Sequence, residues 1–336
     1  MACGYIVLIL RFSLLVLLVI VALMLNLCLG AVSATPQEAL QVLFSPSLAH
    51  GNLTDIIWQI RLPRLLCAFA VGAALAVSGY LLQSLSRNYL ADPYLTGISS
   101  GAALAVAGAI VFNASFAALP IVALIGGLLV SLLVAFMART PAGLSMTRLL
   151  LAGIAVSAVC SSLITLCLTT LAGAGRVQAL YYWLAGSING KGWIELRTTS
   201  IYLIVGFAVA IIMSKPLRML SLGAQSAASL GLNIARVQWT ILLTGVVLCG
   251  AAVSLSGIVG FVGLVAPYVA RTVFGRDERM HLCASVLGGG ALVLFSDLAS
   301  RTLISGMELP LGTLLSLIGA PFFLWLVVKH KDEVEA

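Results

Sequence analysis

Charged side chains are scarce in this sequence: Asp, Glu, Lys and Arg supply 9% of its 336 residues. Soluble domains carry roughly 25% charged and 45–50% apolar residues. Here 61% are apolar and the mean hydropathy is +1.15. A water-soluble fold of this size could not cover so much apolar surface, so lipid must be the solvent for most of the chain. Histidine is nearly absent, and His50, His281 and His330 are scattered. The seven cysteines lie mostly inside apolar runs, with no CxxC and no Cys/His pair at metal spacing. They read as small packing residues, and no metal site is expected.

No catalytic constellation is present either, which sets aside a membrane-embedded enzyme. Gly190-Lys191-Gly192 lacks the upstream Gly and the Ser/Thr of a phosphate loop. ATP cannot be held that way, so an ATP-driven step needs a separate subunit. A proton-driven carrier would want titratable residues inside its spans. Only Asp297 offers one, near a helix end. The net charge of +7 is spread singly between apolar runs. It forms no basic stripe with interleaved aromatics, so a nucleic-acid partner is not expected.

What is present is a succession of apolar runs. A helix needs about 20 residues to cross roughly 30 Å of hydrocarbon. Residues 12–32 form the first expected span. Their apolar core exceeds the roughly 7–15 residues of a signal peptide, and no lipobox precedes Cys28, so the span is read as uncleaved. Residues 65–85 give the second. Residues 93–138 carry no charge but are too long for one crossing; Asn113, Ser115 and Pro120 divide them into spans three and four. Residues 149–171 and 198–213 are spans five and six. Residues 237–270 are again too long, and Ser254-Leu255-Ser256-Gly257 separates span seven from a short, Gly-rich span eight. Residues 281–300 and 309–328 complete a set of ten.

The loops orient the set. With both termini cytoplasmic, twelve Lys and Arg fall inside and six outside, the positive-inside bias. The outer six include Arg61, Arg64, Arg176 and Arg301. Gly72-Ala73-Ala74-Leu75-Ala76-Val77-Ser78-Gly79 is echoed by Gly250-Ala251-Ala252-Val253-Ser254-Leu255-Ser256-Gly257, and each is followed by a Pro-Tyr pair, Pro93-Tyr94 and Pro267-Tyr268. A duplicated five-span unit inverts its second copy. The expectation is one all-α membrane domain over residues 1–336, with inverted repeats at about 12–175 and 193–328 and a cytoplasmic loop at 215–236.

That loop contains Ser221, Leu222, Gly223, Ala224, Ala227, Leu230 and Gly231, a short small-residue helix too polar to span. It reads either as a helix lying on the membrane surface or as a knob that docks into a cytoplasmic partner. Other stretches run in a fixed order: Arg61-Leu62-Pro63-Arg64, then Arg87-Asn88-Tyr89-Leu90-Ala91-Asp92-Pro93, then Arg148-Leu149-Leu150-Leu151-Ala152-Gly153 and Tyr182-Trp183-Leu184-Ala185-Gly186. Gly260-Phe261-Val262-Gly263-Leu264-Val265-Ala266-Pro267, Asp297-Leu298-Ala299-Ser300-Arg301 and Glu308-Leu309-Pro310-Leu311-Gly312 follow. With them the chain resembles the FecCD-type permeases, which import ferric siderophores, haem and cobalamin. Tyr89 and Tyr268 depart from the family's usual Pro and His.

The resemblance implies the permease half of an ABC importer in the bacterial inner membrane, carrying an iron chelate, with cobalamin as the alternative cargo. It implies a homodimer with its pathway on the two-fold axis, two cytoplasmic ATPase subunits that use ATP and Mg, and a periplasmic binding protein. No cofactor is expected on this chain. The 221–231 segment becomes the coupling helix, and Met146 and Thr147 fall at the cytoplasmic gate. Arg61 and Arg64 are expected to dock the binding protein. Arg301 is open between docking and an i,i+4 pair with Asp297. Arg176 is a possible contact at the pathway mouth, beside the plainer reading of a solvated loop charge.

Overall fold

The computed structural model describes residues 2–30, 32–44, 52–141, 143–170, 173–221, 223–274, 278–304 and 306–329. Among these, seven helices are long and apolar enough to cross a membrane and three apolar helices are shorter, making up the ten predicted. The long ones begin with α1 (Ala2–Cys28). Two short helices, α2 (Pro36–Phe44) and α3 (Asn52–Asp55), lead through a π-helical turn (Ile56–Arg61) into α4 (Leu62–Ser86). Then come α5 (Ile98–Val111), α6 (Leu119–Met137), a two-stranded hairpin of β1 (Arg139–Thr140) and β2 (Gly143–Leu144), α7 (Met146–Thr170) and α8 (Ala174–Leu184). The second half holds α9 (Trp193–Ser221), α10 (Ala224–Ser229), α11 (Ile234–Ser256), α12 (Val262–Phe274), α13 (Glu278–Thr302) and α14 (Leu311–Lys329).

The core is built on α4 and α11, the two helices that carry the echoed small-residue runs. Both are buried through most of their length. In lipid, close van der Waals approach rather than hydrophobic burial drives helix association, and small residues permit it. A methyl group on Gly79 would overlap the Gly263 carbonyl of α12, and one on Gly72 would overlap that of Gly289 in α13. Ser78 adds an interhelical hydrogen bond to the Gly245 carbonyl at 2.6 Å. The packing follows the duplication: α5 lies on α6 as α12 lies on α13, and α6 lies on α11 as α13 lies on α4.

The two overlong uncharged runs resolve in the same way. Helices α5 and α12 have 14 and 13 residues, too short to cross about 30 Å alone. Each is preceded by a break in α-helical backbone held within protein, the only place such a break is tolerated at membrane depth. The two breaks are joined: the Tyr94 hydroxyl donates to the Val259 carbonyl at 2.9 Å and accepts from its N–H at 3.1 Å. The Pro-Tyr echo is not equivalent in structure, because Pro93 opens a 3₁₀ turn (Pro93–Thr96) whereas Pro267 lies inside α12.

Helices α2, α3 and α8 escaped the search for 20-residue runs because they are short. Helix α2 carries a legible signal, since Thr35 and Glu38 form a reciprocal capping box with bonds of 2.8 and 3.3 Å. The Thr35 donors hold the exposed Glu38 carboxyl below its usual range. Helix α8 has no comparable start signal.

Candidate functional site

Three regions hold all but one of the residues singled out by sequence. At the end of α10, the fold presents a small protrusion between α9 and α11. Ala227 is fully buried and anchors it, while Gln225, Ser226, Ala228, Ser229 and Leu230 face outward. Leu230 is 60% exposed. Gly223 and Gly231 take positive φ at the two ends, and the Leu232 N–H closes on the Ala227 carbonyl at 3.0 Å. Ser221 is the exposed last residue of α9; Leu222 lies outside the described residues. Arg87, at the C-terminal end of α4, donates to the Leu220 carbonyl and ties the core to this loop.

The residues expected at the gate follow the hairpin directly. Its base is closed by the Ser145 N–H on the Ala138 carbonyl at 3.0 Å, and Met146 then begins α7. Thr147 and Arg148 are exposed. Helix α7 buries little beyond Leu149, Gly153 and Cys160. Its open face mixes Leu151, Ile154 and Leu166 with Ser162, Thr165 and Thr169, whose hydroxyls bond carbonyls one turn back. Helix α14 likewise exposes Leu317, Ile318, Leu324 and Trp325.

The arginines meet at the opposite end of the molecule, and each has an internal partner. Arg61 is buried, 6% exposed, and donates to the carbonyls of Leu27, Cys28 and Val32. It therefore caps the C-terminal end of α1, where the helix dipole favours a cation. Arg64 donates to Asp297 at 2.9 Å and to Glu308 at 3.0 and 3.1 Å. Arg301 donates to the Leu29 carbonyl at 3.0 Å and to Asn26 Oδ1 at 2.7 Å, and its Nε lies 3.6 Å from Asp297. The i,i+4 pair is thus present and secondary to Asn26.

These residues line an open basin of about 700 Å³ beside exposed Leu303, Ile304 and Met307. Sequence reasoning missed Asn26 and the pairing role of Glu308. An amide in the last turn of an apolar helix was the available signal, because such groups are costly in lipid. Arg176 lies apart from this cluster and donates to the Val111 carbonyl at 3.0 Å, where α5 ends. No group of three or more His, Cys, Asp or Glu able to hold a metal occurs among the described residues.

A bundle of apolar helices with an open apolar face, a small anchored protrusion and a charge-paired rim is the build of a multi-span transport permease. The chain belongs to the FecCD transport family, whose model matches residues 17–329. It is 38% identical over 323 residues to the hemin transport system permease protein HmuU of Yersinia pestis, covering 93% of this chain and 95% of that protein. It is also 38% identical over 328 residues to the vitamin B12 import system permease protein BtuC of Vibrio vulnificus, covering 96% and 95%. Among solved structures it matches an inward-facing metal-chelate type ABC transporter with a TM-score of 0.85 and 30% identity, over 95% of this chain and 99% of that one. It is a permease subunit of the ABC importer class, and the ATPase is a separate subunit.

Proposed function

We propose that this chain carries a metal chelate, either haem or a ferric siderophore, across the bacterial inner membrane as a homodimer. Two ATPase subunits consuming ATP and Mg drive it from below, and a periplasmic binding protein delivers cargo from above. Both termini are cytoplasmic in this reading, as the excess of basic residues on that side requires. The observation that carries it is the six-residue helix α10, an anchored knob with Leu230 exposed, together with the long apolar face that α7 leaves unpartnered from Leu151 to Leu166. That face supplies the second copy's contact and the pathway wall, with Met146 and Thr147 at its inner end. Arg64 and Arg301 form the docking rim, braced from beneath by Arg61, and Arg176 lies toward the mouth.

Cobalamin is the second reading, because the hemin and vitamin B12 relatives are equally similar to this chain. Proton coupling is disfavoured, since Asp297 is held between Arg64 and Arg301. The test is uptake in a strain deleted for this permease. Labelled haem, ferric siderophores and cobalamin are supplied in turn, with the chain restored on a plasmid. Restoration for cobalamin alone would overturn the metal-chelate assignment.

A further inference from the structure

A second basin lies at the hairpin, away from the arginine rim. It is a shallow, open depression of about 670 Å³, large enough for a lipid headgroup. Arg139 and Arg236 line it, with Phe136, Thr140, Gly143 and Trp239. Both arginines are exposed, and among the described residues neither guanidinium makes a hydrogen bond or ion pair, the Arg236 bond to Asn233 being from its backbone N–H. The sequence has no Asp or Glu between Asp92 and Glu195, or between Glu195 and Asp277. No carboxylate on the hairpin, α6 or α11 therefore offsets the two charges.

The aromatic side chains distinguish the surroundings. Phe136 and Trp239 pack with ring centroids 5.7 Å apart, and Phe136 and Met137 are 59% and 54% exposed. Further along the same helices, Leu133 and Leu243 are also exposed. A protein partner in water would meet a poor match in this apolar flank. The headgroup zone of a bilayer is where such rings and basic residues settle together.

We propose that this basin binds the headgroup of an anionic phospholipid. Arg139 and Arg236 hold its phosphate, while Phe136 and Trp239 lie against the glycerol and upper acyl chains. The occupant would bridge α6, the hairpin and α11. The hairpin is otherwise fastened to α11 by the Leu144 N–H on Gln238 Oε1 at 2.9 Å, and Met146 follows it. A bound lipid thus braces the segment that leads into the gate. Assignment to the cytoplasmic leaflet rests on the orientation proposed above; the headgroup chemistry does not.

The test uses the full-length, delipidated permease titrated with dioleoyl-phosphatidylglycerol or dioleoyl-phosphatidylcholine and read by native mass spectrometry. The wild type is expected to prefer phosphatidylglycerol by about tenfold or more, given two basic residues at the surface. Arg139→Gln/Arg236→Gln should lose that preference and keep its phosphatidylcholine binding. Each single variant should lose part of it, which preserves the reading if the pair fails to fold. An undiminished preference in all three variants overturns the proposal. So does displacement of the lipid by excess inorganic phosphate, which would mark a bare anion site. Loss of the ATPase subunit from the lipid-free double variant would also overturn it, by assigning the surface to protein contact. None of these readouts depends on cargo identity or on which way the chain is inserted.

Discussion

The side-chain amide of Gln83 donates to the carbonyl of Gly263 at 3.3 Å, the acceptor that Pro267 leaves without its helical N–H. A proline inside a helix removes the bond to the carbonyl four residues earlier. In lipid-buried protein that carbonyl must find another donor. Gln83 comes from α4, so the repair also pins α12 to the core. Gln83→Leu should cost about 1 kcal/mol or slightly more, the size of interhelical polar contacts in membranes. Thermal unfolding in detergent measures it, and an unchanged midpoint would mean that the bond contributes nothing.

At the arginine rim the partners carry different weights. Asp297→Asn removes the carboxylate that neutralises Arg64 and Arg301 and should destabilise the fold by about 3 kcal/mol, as breaking a buried pair does. Glu308 is 37% exposed, so Glu308→Gln should leave stability nearly unchanged while freeing one edge of the Arg64 guanidinium for an incoming carboxylate. Binding-protein affinity should then rise severalfold at low salt and fall for Arg64→Gln, with both effects fading as salt screens the rim. Identical affinities for both variants and wild type at low salt would remove Arg64 from the docking surface. Reversing Arg61 is a poor probe, because its buried guanidinium holds the end of α1.

The knob at α10 separates anchor from contact. Leu230→Asp alters an exposed residue, so its effect on stability should stay within about 0.5 kcal/mol. Co-purification of the ATPase subunit should nevertheless be largely lost. Ala227→Leu should damage both, since Ala227 has no room. An undiminished ATPase complex with Leu230→Asp would return this helix to the plainer reading, one lying on the membrane surface.

Single cysteines at Met146 and Thr147, in a background without the native cysteines, report on the gate. A disulfide needs Cα atoms about 4.4–6.8 Å apart. Cross-linking between the two copies is expected in a closed state and should block uptake. No cross-link in any nucleotide state would place these residues away from the constriction.

The spans were legible because lipid imposes one crude rule, a run of apolar residues of fixed length. The same rule made residues 93–138 and 237–270 too long, and that excess was the visible trace of the breaks ahead of α5 and α12. It could not reveal α8, which is short and only weakly apolar, or the early end of α1 at Cys28. The arginines were conspicuous for lying on the wrong side of the charge bias. Asp297 was legible as the i,i+4 neighbour of Arg301, but Asn26 and Glu308 were not, because each lies far in sequence from the arginine it pairs with. Leu230 was visible as part of a short helix, but only packing distinguishes its exposure from the burial of Ala227.

Asp92 lies in the turn between α4 and α5, and its carboxylate accepts the Tyr94 N–H at 2.8 Å, capping the 3₁₀ turn that precedes α5. A side-chain oxygen at a helix start takes up an N–H that has no helical partner, and removing it costs about 1 kcal/mol. Asp92→Asn keeps an oxygen for Tyr94 and should unfold close to wild type. Asp92→Ala should lose about 1 kcal/mol, read as a lower thermal midpoint in detergent. An alanine variant that unfolds with the wild type would show that the turn holds without its cap.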